Sequence, residues 1–415
     1  MLKLSLTASV ILCLFTTVGC GSSSSNNASA PVPRPISPIT PSLSPETLAL
    51  GITPVPNGLS SMYTPALKFN RYTSIIAPNG REIGILAQDG LTDNQIVRAR
   101  SILAFYLTDV PNSEYGNDKS AVANKLAENG AKLLLLNGVD DGTNAGAELD
   151  GQPLYYGELQ VEGGEWYINQ NYEHRDASYE EILHFVHDYG IGVDQNASFI
   201  GALPKYQAEI RAAEVDASAK ELWGIGQNSW IQELTTENSL TQEYLAAVID
   251  SYYGLWGAWQ PETDTQKGNG MWGLYVGKDR QDTAKDDPMG TQVVEQFFSP
   301  VITYNARIDE SFEGTFSLSF DTALPYTHHA QYLKNVTLTG SNTSGVKVNQ
   351  FDNDITGNDG ENTVYFSGHY SEYQISVENN IVTVNDLQDD REGTNTLTGI
   401  EKLSFSNVVV NAPTE

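Results

Sequence analysis

Between about residue 72 and residue 300 the apolar positions alternate between helical spacing and short strand-like runs. TDNQIVRARSILAFYL (92–107) opens on a Thr/Asp/Asn cap and then places apolar residues one helical turn apart, which predicts a helix. DKSAVANKLAENG (118–130) predicts a second, closed by Gly130, and AKLLLLNG (131–138) predicts a short buried strand. PLYYGELQVEGGEWYINQ (153–170) is rich in β-branched and aromatic residues about Gly163-Gly164 and predicts a hairpin. Helices are expected over YEEILHFVHDY (179–189), near Pro204–Leu222, and over SLTQEYLAAVIDSYYGLW (239–256), the last from a capping box at Ser239-Leu240-Thr241-Gln242. Beyond about residue 300 helical periodicity stops. FEGTFSLSF, NVTLTG, GVKVNQ, NTVYFSG, YQISVE and IVTVND alternate between Asn/Asp/Gly turns, predicting an all-β region. The fold class is therefore α+β over 61–300 followed by all-β, β-roll or β-sandwich-like, over 301–415.

The two ends of the chain carry different signals. MLKLSLTASVILCLFTTVGC has one cation, Lys3, an apolar run too short to span a bilayer as a mature helix, and small residues before Cys20. Thr17-Val18-Gly19-Cys20 resembles the lipobox of bacterial lipoproteins, with threonine where leucine is commoner. That resemblance implies removal of residues 1–19, lipidation of Cys20, and, with Gly21 rather than aspartate next, an outer-membrane anchor at the cell surface. Ser22 to about Pro56 is rich in Ser, Asn and Pro and reads as a disordered tether, with the tether segment bounded at 20–60. The other cysteine, Cys13, lies in the leader, so a processed chain has no disulfide and no cysteine metal site.

Charge narrows the partners. A net charge of −29, from 52 acids against 23 bases, argues against nucleic acid and anionic lipid surfaces and suits cations, and it also suits a protein from salty water.

On an ideal helical wheel Ile182, Leu183, Phe185, Val186 and Tyr189 form one face of the 179–189 helix, and Glu180, Glu181, His184, His187 and Asp188 form the other. Glu180 and His184 are one turn apart, as two metal ligands on a helix must be, and Glu181 follows the first of them. The string Glu180-Glu181-Ile182-Leu183-His184 is HExxH with glutamate for the first histidine, and the helix runs on into Asp188-Tyr189-Gly190. In these features it resembles the gluzincin metallopeptidases, in particular the anthrax lethal factor-like ones. The resemblance implies a zincin-like domain acting on protein or peptide substrates. Its zinc would be held by His184 and by Glu243 from the later helix, with Glu180 as third ligand or His187 in its place. Glu181 would be the base, and an edge strand at Glu165–Gln170 would hold substrate by β-pairing. His174 is a further reachable imidazole.

The same residues also support a purely structural account. Ser178 as N-cap with Glu181 at N3 makes a capping box, both glutamates suit a helix start, Gly190 closes the helix, and the histidines face solvent.

In the C-terminal region DNDITGNDGENTVYF (352–366) is similar to the nonapeptide repeats of hemolysin-type (RTX) proteins, and the tail after it resembles the cap that follows such repeats. This implies calcium at Asp352, Asp354, Asn358 and Asp359, residues that equally well satisfy turns through Asx hydrogen bonds. His328-His329 read as surface residues, and Trp256 and Trp259 as core or cleft wall. Two function classes follow: a surface-anchored lipoprotein with a zincin-like metallopeptidase, or pseudopeptidase, domain; and a non-catalytic adhesin or binding lipoprotein with a calcium-stabilised β region.

Overall fold

The computed structural model describes residues 43–193, 201–261 and 268–415. The leader, Cys20 and the tether as far as residue 42 lie outside the described residues. From residue 43 onward the tether expectation is corrected. Ser44 accepts a hydrogen bond from the Thr47 N–H and Pro45 takes the first position of helix α1 (Pro45–Ala49). The Thr47 hydroxyl then donates to Asp93 at 2.5 Å, Ile52 is fully buried, and Thr53 bridges Tyr72. Ser-Pro-Glu is a helix start rather than a spacer, and the apolar residues after it dock on the body.

A four-stranded sheet, β1 (Phe69–Ile76), β2 (Glu82–Gln88), β3 (Lys132–Leu136) and β4 (Gln152–Tyr155), runs in that order. β1 and β2 are antiparallel, whereas β2, β3 and β4 are mutually parallel. The parallel step from β2 to β3 is made by α2 (Asp93–Leu107) and α3 (Ser120–Glu128). α2 begins with a capping box between Thr92 and Gln95, and Gly130 reverses the chain after α3 at φ +65°. These elements follow the apolar spacing.

The expected hairpin does not form. After β4 a 3₁₀ turn (Tyr156–Glu158) leads to α4 (Glu165–Asn169), which starts after Gly164 and stops at Gln170, φ +48°. The Gly163-Gly164 pair opens a helix with Glu165 in its first turn, and the aromatic residues serve the core instead: Tyr167 is buried against Phe316 and Tyr326. Glu165–Gln170 is therefore not an edge strand. The sheet edge beside the motif helix is β4.

Five further helices complete this half around the motif helix α5 (Ser178–Val186): α6 (Pro204–Ala219), α7 (Asn228–Glu237), α8 (Leu240–Tyr252), α9 (Arg280–Asp286) and α10 (Pro288–Glu295). α5 packs on α2, α8 and β4, so it is covered from three sides. No helix among the described residues is long and apolar enough to cross a membrane.

The remainder is strand-rich: β5 (Ile302–Ile308), β6 (Gly314–Ser317), a short helix α11 (Thr327–Ala330), β7 (Leu333–Leu338), β8 (Ser344–Lys347), β9 (Asp354–Thr356), β10 (Thr363–Tyr365), β11 (Tyr373–Glu378), β12 (Ile381–Asp386), β13 (Thr394–Thr398), β14 (Lys402–Phe405) and β15 (Val408–Asn411). From β5 to β11 successive strands alternate between two sheets, ordered β11-β12-β13-β9-β7-β5 and β15-β14-β10-β8-β6; β11, β12 and β13 then follow one another antiparallel in the first, and β14 and β15 antiparallel in the second. β5, β7, β9 and β13 pair in parallel, as do β6, β8, β10 and β14, so the chain winds as a coil with one strand per turn in each sheet. Register stacks like on like. Val336, Ile355 and Leu397 line up inside one sheet, and Phe316, Val346, Val364 and Leu403 inside the other, all buried.

Buried asparagines close the turns. Asn362 donates to the Ser344 carbonyl (3.2 Å) and to Asn358 Oδ1 (2.8 Å), and Asn353 donates to Lys334 O and to Asn349 Oδ1. One continuous hydrophobic cluster extends from Ile52 through α2, α5 and α8 to Phe405, so the coil and the α/β half share a core. His329, expected at the surface, is wholly buried between them: its Nδ1 lies 2.8 Å from the Tyr253 carbonyl and its ring against Tyr167 and Tyr179. His328 is half-buried against Phe320.

Candidate metal centre

The start of α5 is held differently from a capped helix end. Ser178 is the first helical residue rather than the N-cap, Ala177 provides no side-chain cap, and the Ser178 hydroxyl bonds Asp176 and Arg98. Arg98, from α2, has a side chain 2% exposed and pairs with Glu162 (3.1 Å) and Asp176. A guanidinium so buried needs counter-charges, and Asp176 in the turn before α5 supplies one. Glu181, not drawn back into a cap, accepts a 2.7 Å hydrogen bond from Gln152 Nε2 on β4. Ser239 likewise begins α8 without capping it through its side chain.

With the first turn fixed in this way, Glu180 and His184 project from successive turns toward α8, whose own first turn presents Glu243. One ligand atom from each of Glu180, His184 and Glu243 lies within 4.8 Å of the others. His184 Nε2 is 3.8 Å from Glu243 Oε1, and its Nδ1 is 3.7 Å from Glu181 Oε2. The polar arc expected to face solvent is thus roofed by α8: Glu180 is buried, and the side chains of His184 and Glu243 are 12% and 17% exposed.

The second half of the arc turns away. After Val186 the chain makes one π-helical turn, His187–Ile191, which breaks the regular wheel. His187 is consequently fully buried, with Nε2 2.5 Å from Gln207 Oε1 on α6, and it does not join the group. Asp188 accepts a 2.7 Å hydrogen bond from Gln242, the neighbour of Glu243, and so ties the end of the motif helix to the start of α8. The reversal expected at Gly190 occurs at Gly192, φ +104°; Gly190 instead packs tightly against Val122 and Leu126. His174 stacks flat on Trp166, ring centroids 4.0 Å apart, and stays outside the group.

Three charged residues that sequence patterns do not mark surround the site. Arg175, from the loop before α5, bonds Glu180 Oε2 and lies over the Trp272 ring, 4.8 Å from its centroid. Glu158 accepts from the Tyr155 N–H at 3.0 Å just past β4, and Asp250 stands two turns beyond Glu243 on α8. Their electrostatics are uneven. Burial pushes Glu158 up to about 7, reinforced by the Glu181 carboxylate, and pushes Glu243 up to about 7 despite His184. Asp188 and Asp250 are raised, mainly by burial. Glu180 is lowered: burial opposes its charge, but Arg175 and His184 outweigh that. For His184 burial again disfavours charge, yet Glu243, Glu181 and Glu180 hold its pKa at about 10. Without an ion, these carboxylates favour the protonated imidazole of His184.

Two carboxylates and one imidazole, with His184 Nε2 buried and making no hydrogen bond, are a donor set that zinc and other divalent first-row ions accept. The residues fit a metal ion; its identity does not follow from them. The other candidates are not assembled. Among the described residues, Asp352, Asp354 and Asp359 form no convergent group. Asp352 Oδ1 accepts from the Thr394 N–H, and Asn358 is spent on turn bonds to Gly360, Asn362, Thr339 and Asn342. Trp256 and Trp259 are buried, and Trp256 stacks on Tyr172. No family model, no curated protein and no solved structure matches the chain.

Proposed function

We propose that the chain is a lipid-anchored surface protein whose central region binds a divalent metal ion, zinc by its likeness to the gluzincins, through Glu180, His184 and Glu243. In this reading it is a metallopeptidase of zincin type. The observation that carries it is the meeting of Glu243 with the Glu180/His184 pair across two helices, Glu243 being the partner that the gluzincin resemblance implies. When bound, such an ion polarises a carbonyl and acidifies its water. The chain's own residues supply the rest. Glu181 sits one residue after the first ligand, held by Gln152, with a carboxylate oxygen free to take a proton. β4, the edge strand of its sheet and the one beside α5, is where an extended peptide would pair through its backbone.

A second reading, a non-catalytic relic or binding protein, is favoured by one feature: Glu180 is already paired with Arg175. Metal analysis after equilibration with zinc decides first. One zinc per chain, lost in His184→Ala and in Glu243→Ala with circular dichroism unchanged, is expected; absence of bound transition metal in the parent protein sinks the site. Chelator-sensitive cleavage of casein, abolished in Glu181→Gln while zinc is retained, then separates enzyme from relic.

A further inference from the structure

Glutamate in place of the first histidine places an extra negative charge against the metal position. Left alone in a buried setting, that charge is costly, and as a ligand it makes a bound ion a weaker Lewis acid. Arg175 stands against this carboxylate. Its guanidinium bonds Glu180 Oε2; the side chains are 20% and 5% exposed. Trp272 covers the guanidinium face, and the other carboxyls acting on it are Glu158 and Asp250. Arginine does not lose its proton at any pH a protein survives, so the pair is neutral wherever Glu180 is ionised.

We infer that Arg175 is a positioning residue that makes Glu180 act toward the metal as a neutral ligand, giving this site the net charge of one with histidine at that place. The inference rests on the reading of Glu180, His184 and Glu243 as metal ligands. It explains how the helix keeps a workable site despite the substitution: the exchange of histidine for glutamate is matched by a fixed cation arriving from the preceding loop. It also makes a signed claim. Removing the cation leaves an uncompensated anion on the metal, which holds on to the ion's water protons.

The test uses the full chain loaded with cobalt(II), whose visible absorption follows ionisation of the metal-bound water as pH is raised. Arg175→Gln should raise the midpoint by about one unit or more, the size of effect a neighbouring unit charge exerts. Arg175→Lys, which keeps the charge, should restore most of it. In a Glu180→His background, where the ligand is already neutral, Arg175→Gln should not raise the midpoint. That double variant removes both buried charges together, and so remains informative if Arg175→Gln alone does not fold. An unchanged or lowered midpoint in Arg175→Gln with cobalt still bound, or a rise of equal size in the Glu180→His background, overturns the inference and leaves the site standing. Failure of the parent chain to take up cobalt or zinc overturns the site itself.

Discussion

His184 stands between carboxylates, 3.8 Å from Glu243 and 3.7 Å from Glu181, and their charge holds its proton well above the usual imidazole range. A metal must displace that proton, so affinity depends on pH with a definite sign. His184 is charged up to about 10 and Glu243 titrates near 7. Above pH 7 one proton leaves per ion, and apparent zinc affinity should rise about tenfold per pH unit until pH 10. Below pH 7 the rise should be steeper, because Glu243 also gives up a proton. Competition with a chromophoric chelator at pH 6, 7, 8 and 9 measures this, and a flat profile between 7 and 9 contradicts it. The same proton contributes to the stability of the metal-free fold. The folded pKa lies above the unfolded value near 6.5, so that contribution is complete below pH 6.5 and is lost as pH rises toward 10.

At the scale of the element, α5 is aimed by its surroundings more than by its own caps. Arg98 gathers Glu162, Asp176 and Ser178 at its first turn, while Asp188 and Gln242 join its far end to α8. Replacing Arg98 by methionine leaves two buried acids, 1% and 6% exposed, without their cation. The expected loss is about 3–5 kcal/mol in urea unfolding, with weaker zinc binding because Glu180 is no longer fixed. A loss under about 1 kcal/mol would show that the acids simply take up protons or water. The capping box at Ser178 was a sound local pattern, defeated by a stronger claim on the same hydroxyl. The π turn after Val186 is also a tertiary decision: it buries His187 against Gln207 and separates it from His184, its neighbour on an ideal helix.

For the whole molecule, the boundary near residue 300 is a change of architecture without a break in the core. Tyr304 on β5 lies 3.0 Å from the Tyr179 hydroxyl on α5 and donates to Glu162 at 2.7 Å, which in turn holds Arg98. Arg307 donates to Asn94 on α2, and the His329 imidazole meets the Tyr253 carbonyl at the end of α8. The coil thus buttresses the elements that carry the site, and we expect the described body to unfold in one transition. Differential scanning calorimetry should show a single peak, shifted down as a whole by Tyr304→Phe. Two peaks, of which only one moves, would mean that the halves are energetically separate.

Local apolar pattern determined α2, α3, β3, the span of α8 and the strand-rich change near residue 300: α2, α3 and the later strands repeat their apolar positions at a regular period, while β3 and α8 are apolar runs long enough to mark burial on every side. The candidate trio is legible as well: helical spacing joins Glu180 to His184, and the gluzincin resemblance points to Glu243. Tertiary structure decided what spacing does not encode. It made 165–169 a helix, buried His187 and His329, and gave Ser178 to Arg98. It also brought Arg175 to Glu180 from a loop that has no periodicity to read. Periodic patterns record which face of an element avoids water; they do not record which buried charge from another element arrives to meet it.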